Sequence, residues 1–566
     1  MGRGRRTTVK TEETRKIEGP LHDDARVLQS VAAPSRIPSV KLKGLAISFW
    51  SVAVVVVCGG VAAYLMTANL SYGLPLYYHP DEVVKTVSAV NLARGDIPAR
   101  FNHPHFMLFF SYPFLHAGWA LGIHPLVAAR AAVAVLGIAT VGLLYGVGRY
   151  LGGPLAGAAA AILYATAPLA VVAAHDFKED IPLAFWLTLQ LLFLVRYLRH
   201  GRSRDLFLGA AALGGAIGTK YTGLLAAPLL VGAVFAGPVT DQRWRRLGIA
   251  ATLVGVGFLV ATPDILAQPG KFVADTLFEV RHALFGHGIK RVSQSGLELT
   301  GESLEHPITI SPLPYLWTYH LRYSLIPGFS VAGLLLAAGG LVVAAARDDR
   351  SLQLVAGAAV LFYLVLETLP LKPPPFAARY MVIVLPYAAL LAGGAVAFAW
   401  NRGMAYRATI GLLLAATIIL NGYQSLQQIQ AMRPETRDEA RDWIRRNLPP
   451  GARIILPGLI WYTPFGGASE RVGPYDVVAM QRFSFSELLA ASLDPRAYLV
   501  VSSFNYQRHL DFPDVDPDAT RFYRMLFEQY APLATFTVPF HPLGFHNPAI
   551  QIFRLAGASR APNPRP

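Results

Sequence analysis

Apolar runs separated by short polar loops fill the first three quarters of the chain. They lie near residues 45–67, 106–122, 126–148, 154–174, 181–198, 206–219, 221–237, 247–265, 325–346, 352–369, 379–399 and 408–424. A helix needs about 17–25 apolar residues to cross the hydrocarbon core of a bilayer, and the first run carries no charge over its 23 residues. After about residue 430 the pattern changes. Residues 435–447 and 520–530 read as amphipathic helices, the first stopped by Pro449-Pro450-Gly451, and 453–456 and 498–502 read as short buried strands. The pattern predicts an all-α polytopic membrane domain followed by a small α/β domain.

Charge placement narrows the number of crossings. If the first run passes outward and 106–122 lies along the outer surface, eleven spans remain. Arg149, Arg196/Arg199/Arg202/Arg204, Arg243/Arg245/Arg246, Arg347/Arg350 and Arg402/Arg407 then all fall inside, as cytoplasmic loops require. The loops 68–105, 175–180, 266–320 and 372–379 fall outside together with the C-terminal domain. Counting 106–122 as a span would push the 196–204 cluster outside. The segment instead has Pro113, His116 and Trp119, which suits an interfacial helix. The expected division is a basic cytoplasmic tail over 1–44, a membrane domain over 45–425 and an extracytoplasmic domain over 426–566.

Composition agrees: 53% of residues are hydrophobic and 15% charged, against about 25% charged in soluble domains. The net charge of +15 is spread over short loops, so it orients the chain in a membrane and does not point to nucleic acid. The single Cys58 excludes internal disulfides and cysteine metal sites.

Acids are scarce, and most of those near the membrane lie on the outer side. Tyr77-Tyr78-His79-Pro80-Asp81-Glu82 places two carboxylates just after the first run. They fit a helix start, with Asp81 as cap and Glu82 in the first turn, and they equally fit an acid–base centre. Adjacent residues on a helix do not share a face, so one acid would do chemistry and the other orient it or bind the acceptor. His175-Asp176-Phe177-Lys178-Glu179-Asp180 ends one run at the same side, and Asp180-Ile181-Pro182 opens the next. Lys220, in Thr219-Lys220-Tyr221-Thr222-Gly223, is either a snorkelling interface lysine or a site cation. Lys372 and Arg379-Tyr380 flank a stiff Pro373-Pro374-Pro375 stretch, and Arg379 could hold an anion at a helix start. Carboxylate base and cationic clamps together suit transfer of a group from a lipid phosphate to a hydroxyl.

In order and sidedness these motifs resemble the GT-C membrane glycosyltransferases, in particular protein O-mannosyltransferases and lipid A aminoarabinose transferases. The likeness is carried by His79-Pro80-Asp81-Glu82, Gly95-Asp96, Asn102-His103-Pro104-His105, Arg149-Tyr150-Leu151-Gly152, His175 to Asp180-Ile181-Pro182, Thr219-Lys220-Tyr221, and Arg379-Tyr380 to Pro386. The resemblance implies a polyprenyl-phosphate sugar as donor, inverting transfer at the outer face of the plasma membrane, and a protein, lipid or glycan acceptor. It makes Asp81 the general base, Glu82 an orienting acid and Asp180 a supporting acid. Lys220, Lys372, Arg379 and Tyr380, with His79, His103, His105 and His175, become candidate substrate or phosphate contacts. His103 stands where some relatives carry a lysine. This branch works without a metal, so no cofactor is expected, although oligosaccharyl-transferring relatives hold a divalent ion with acids. Two other readings fit the same pattern: a transporter or flippase of lipid-linked sugars, and an inactive relative serving as an assembly platform.

Overall fold

The structure is a computed structural model, and it describes residues 39–42, 45–98, 100–239, 241–285, 291–293, 296–298, 317–369, 375–466, 473–480, 490, 493–514 and 516–554. Met1–Val52 and Ala53–Pro566 are two compact units. The chain is mostly helical, and each of the eleven runs expected to cross the membrane carries a helix. The first is shorter than its apolar run: helix begins at Phe49, because Leu45–Ser48 is a β-strand. Apolarity does not mark where helical bonding starts. Among the described residues six helices are long and apolar enough to cross a membrane, or seven if the bent pair Leu321–Phe329 and Val331–Ala346 is one span. Tyr221–Ala236 and Leu385–Trp400 are shorter apolar helices. The chain is a multi-pass membrane protein.

One of the six, Pro125–Thr166, is 42 residues long because two helices run together across a break at Gly152 and Gly153. Gly153 has φ 81°, a left-handed conformation that only glycine takes without strain, and Pro154 then opens the second helix. The halves fold back on each other so tightly that a Cβ on Gly148 would lie 2.6 Å from Gly157 Cα. The sequence runs 126–148 and 154–174 are therefore two arms of a helical hairpin. Leu385–Trp400 is the central helix, with every residue from Leu385 to Ala397 buried. Small residues let its neighbours approach, as they do where helices pack in lipid. A Cβ on Gly340 would collide with the Leu391 carbonyl of the central helix. Gly340→Val is accordingly expected to cost about 1–3 kcal/mol of stability by overpacking, read as a lowered thermal midpoint in detergent.

The C-terminal part is a five-stranded mixed sheet in the order Asp476–Met480, Arg453–Pro457, Ala497–Ser502, Ile550–Arg554, Ala534–Phe536. The first three strands are parallel and the last two antiparallel to their neighbours. Both faces are covered, so the central strand Ala497–Ser502 is apolar without alternation. Leu499 and Val501 face Phe522, Tyr523 and Leu526 of helix Pro517–Gln529, whereas Val500 faces Ala440 and Ile444 of helix Thr436–Asn447. That last helix starts on a capping box between Glu435 and Asp438.

Candidate active site

The helix Pro80–Ala93 begins under three local constraints. Tyr77 takes a left-handed φ of 55°, a conformation that a bulky side chain holds only when its surroundings impose it. His79 is the N-cap, its Nδ1 accepting the Asp81 N–H at 3.2 Å, and Pro80 follows with no N–H to satisfy. Asp81 and Glu82 then leave the helix about 100° apart, one toward Lys178 and Arg379 and the other into the protein.

Glu82 is completely buried. Its carboxylate accepts from Arg130 Nε at 2.8 Å and Nη2 at 2.5 Å, and from the Phe177 N–H at 2.7 Å. Arg130 Nη1 donates to the Leu70 and Tyr72 carbonyls at 2.6 and 2.9 Å, and its guanidinium lies 4.0 Å over the Tyr72 ring. The Tyr72 hydroxyl donates to Asp176. Burial, reinforced by the nearby Glu82 charge, pushes the Asp176 carboxyl up to about 7 against the opposing pull of Tyr72 and Arg130. This network fixes the loops on either side of the acid pair.

Asp81 is the more open acid, its side chain 42% exposed. Lys178 Nζ donates to its Oδ2 at 2.6 Å, and Arg379 Nη1 lies 3.6 Å from the same oxygen. Burial alone would raise the Asp81 carboxyl, but Lys178, His79 and Arg379 together hold it well below the usual carboxylate range. Around it the charges alternate. Lys220 donates to Asp180 Oδ1 at 2.7 Å, Lys85 pairs with Glu179, and Lys178 lies 4.0 Å from Glu179. Lys220 and Arg379 both lie against the Tyr380 ring, at 5.4 and 5.7 Å. Burial lowers the Lys85 and Lys178 ammonium groups below their ordinary range. Four cations (Lys85, Lys178, Lys220, Arg379) meet three carboxylates (Asp81, Glu179, Asp180), so the rosette has one positive charge in excess. Arg379 Nε and Nη1 are buried without a hydrogen-bond partner among the described residues.

The rosette opens on a recess of about 350 Å³, counting its space open to solvent. Asp176, Lys178, Asp180 and Arg379 line it together with the apolar Leu169, Phe376, Leu543 and Phe545. The last two come from the C-terminal segment, whose Leu543, Phe545, His546 and Asn547 are buried. Phe545 joins an aromatic cluster with Phe376, Tyr462 and Phe504, and stacks on His79 at 3.9 Å. Beside it, wholly buried Arg437 lies 3.9 Å over the Tyr78 ring and donates to the Tyr78 and Trp461 carbonyls at 3.3 and 2.9 Å. The Tyr78 hydroxyl donates to Asp438 at 2.7 Å and accepts from Arg441 at 2.8 Å.

Of the residues expected from sequence, Asp180 and Arg379 line this recess, and Asp81, Lys220 and Tyr380 are joined to them by the ion pairs and ring contacts above. His103 is half-buried nearby, lowered by burial and then by the charges of Lys85, Lys178 and Lys220. Four expected contacts lie elsewhere. Glu82 is enclosed by Arg130 and cannot orient a substrate by touching it. His105 is held by Asp264 at 2.5 Å and the Arg100 carbonyl at 2.7 Å. His175 is wedged between the Val171 and Ala68 carbonyls at 2.8 and 2.7 Å. His79 serves as the cap and stacking partner described above. Lys372 and residues 286–290, 294–295 and 299–316 of the 266–320 loop lie outside the described residues. Lys85, Arg130 and Phe545 were not foreseen. Lys85 is four residues beyond Asp81, hence on its face, and Arg130 is a lone charge inside an apolar run; nothing local marks Phe545. Among the described residues no group of three His, Cys, Asp or Glu side chains converges as a metal site would.

Residues 103–266 match the sequence model of a family described as dolichyl-phosphate-mannose-protein mannosyltransferase. Among solved structures, ArnT from Cupriavidus metallidurans bound to undecaprenyl phosphate covers 90% of this chain and 99% of its own, at 18% identity and TM-score 0.50. The Archaeoglobus fulgidus oligosaccharyltransferase covers 88% of this chain and 74% of its own, at 12% identity and TM-score 0.49. At such identity a likeness speaks for the fold. No curated protein matches the chain by sequence.

Proposed function

We propose that this chain, a multi-pass membrane protein with the GT-C glycosyltransferase fold, moves a sugar from a polyprenyl-phosphate carrier to an acceptor hydroxyl on a protein, lipid or glycan. The observation that carries the reading is Asp81, a solvent-reaching carboxylate paired with Lys178 and Arg379, two cations that line a recess together with apolar side chains. In the reaction the Asp81 carboxylate takes the acceptor hydroxyl proton as the oxygen attacks the anomeric carbon. The bond from that carbon to the phosphate oxygen breaks, its electron pair leaves with the phosphate, and the configuration inverts. Lys178, Arg379 and, through the Asp180 pair, Lys220 offset the charge that grows on the phosphate. Side-chain cations supply this, so the reading needs no metal. Glu82 and Arg130 act as positioning residues.

The same reading assigns 1–44 to a cytoplasmic tail, 45–425 to the membrane domain and 426–566 to a domain on the outer face of the plasma membrane. It is tested by incubating purified protein in detergent with a panel of radiolabelled polyprenyl-phosphate sugars. Transfer to an acceptor or to water supports it, and no turnover of any donor would sink it. Arg379→Gln is expected to weaken donor binding about 10- to 100-fold, the worth of a charge-assisted hydrogen bond, seen as a raised donor KM.

A further inference from the structure

We propose that Asp81 and the phosphate of the donor compete for the same two cations, Lys178 and Arg379, so that the carboxylate is released to act as base only after the donor has bound. The inference rests on the reading of the site as a lipid-phosphate sugar transferase and adds an order of events to it.

The geometry is that of a shared pair of ligands. Both cations converge on one oxygen, Asp81 Oδ2, at 2.6 and 3.6 Å. Both also line the recess that a donor phosphate would enter. Of the two, Lys178 has its other carboxylate neighbour, Glu179, at 4.0 Å, and Glu179 is already paired with Lys85. Arg379 has a buried Nε without a hydrogen-bond partner among the described residues, and the phosphodiester of the donor has two non-bridging oxygens to offer. The Lys178 ammonium has three N–H donors but one positive charge, so a phosphate seated at Lys178 and Arg379 draws on the same charge that holds the Asp81 carboxylate.

The chemistry follows from the same contacts. The groups facing Asp81 are Lys178, Arg379 and the His79 ring, with Lys85, Lys220, His103 and Asp180 farther out. Locked to Lys178, the carboxylate is a weak base, because removing a hydroxyl proton would mean giving up a short ionic bond. A phosphate arriving at Lys178 and Arg379 takes over that charge, adds a negative charge of its own nearby, and raises the basicity of Asp81. The acceptor proton then has somewhere to go. Donor binding thus precedes deprotonation, and an acceptor that arrives first meets an inert carboxylate.

The test is the affinity of undecaprenyl phosphate in detergent for the wild type, Asp81→Asn, Lys178→Met and the double variant. Asn keeps the shape of Asp81 but gives up the cations, so Asp81→Asn is expected to bind about tenfold more tightly than wild type, the scale of one such charge pair. In the Lys178→Met background the gain from Asp81→Asn should shrink to less than twofold, which separates direct competition from a general loss of negative charge. Wild-type binding with no gain in Asp81→Asn, or an undiminished gain without Lys178, would overturn the competition and leave the transferase reading in place. No binding by wild type or Asp81→Asn would remove the lipid-phosphate reading itself.

Discussion

Asp81→Asn is expected to lower sugar transfer by about 10²–10⁴-fold, the range typical of a lost general base, with the protein folded and donor binding kept or strengthened. The substitution retains size and helix position while removing the proton acceptor. It should spare the fold because the Asp81 side chain is 42% exposed, and its backbone N–H still bonds the His79 cap. A pH series adds a direction. In the free enzyme Asp81 is held well below the carboxylate range, first against burial and then by Lys178, His79 and Arg379. A base works above its pKa, so kcat/KM should stay level from neutral pH well into the acid range and fall only as pH drops through that lowered value. In the donor complex the cations are engaged by phosphate, so the acid limb of kcat should sit at higher pH than that of kcat/KM. Equal turnover by wild type and Asp81→Asn would dismiss Asp81 as the base, whatever the pH profile.

How much of this was legible beforehand depended on whether a residue's partner was near it in sequence. The helices could be read from apolar runs because lipid imposes a length and forbids unpaired backbone. Asp81, Asp180, Lys220 and Arg379 could be singled out because charges at a membrane edge are few. Their grouping followed from sidedness, since each stands at the same end of its span. The direction of each side chain could not be read. Asp81 and Glu82 look equivalent in sequence, and only the 100° helical step decides which meets Lys178 and Arg379 and which meets Arg130. His79 shows a related ambiguity: a His-Pro start suits a ligand-binding loop, but it equally makes a helix cap, and the His79 ring caps its helix. Phe545 had no local signal at all, because its place against His79 and Phe376 exists only once the C-terminal segment has folded back on the membrane part.

The buried half of the acid pair yields the second large effect. Arg130→Met is expected to destabilise the protein by about 3–5 kcal/mol, the usual result of removing one partner from a buried ion pair. Glu82 would keep only the Phe177 N–H of its three donors, at a site with no exposure to solvent. The Leu70 and Tyr72 carbonyls would lose their donor as well, loosening the segment that leads into Tyr77 and His79. The measure is the thermal midpoint of detergent-solubilised protein, taken with Glu82→Leu and with the double variant Glu82→Leu/Arg130→Met. If the pair is structural, the double variant should be more stable than Arg130→Met alone, because no unpaired charge remains inside. Activity in each variant should then follow the folded fraction. Should Glu82→Gln instead stay fully folded and lose transfer as Asp81→Asn does, Glu82 would be acting on substrate, and its enclosure by Arg130 would have to open during the reaction.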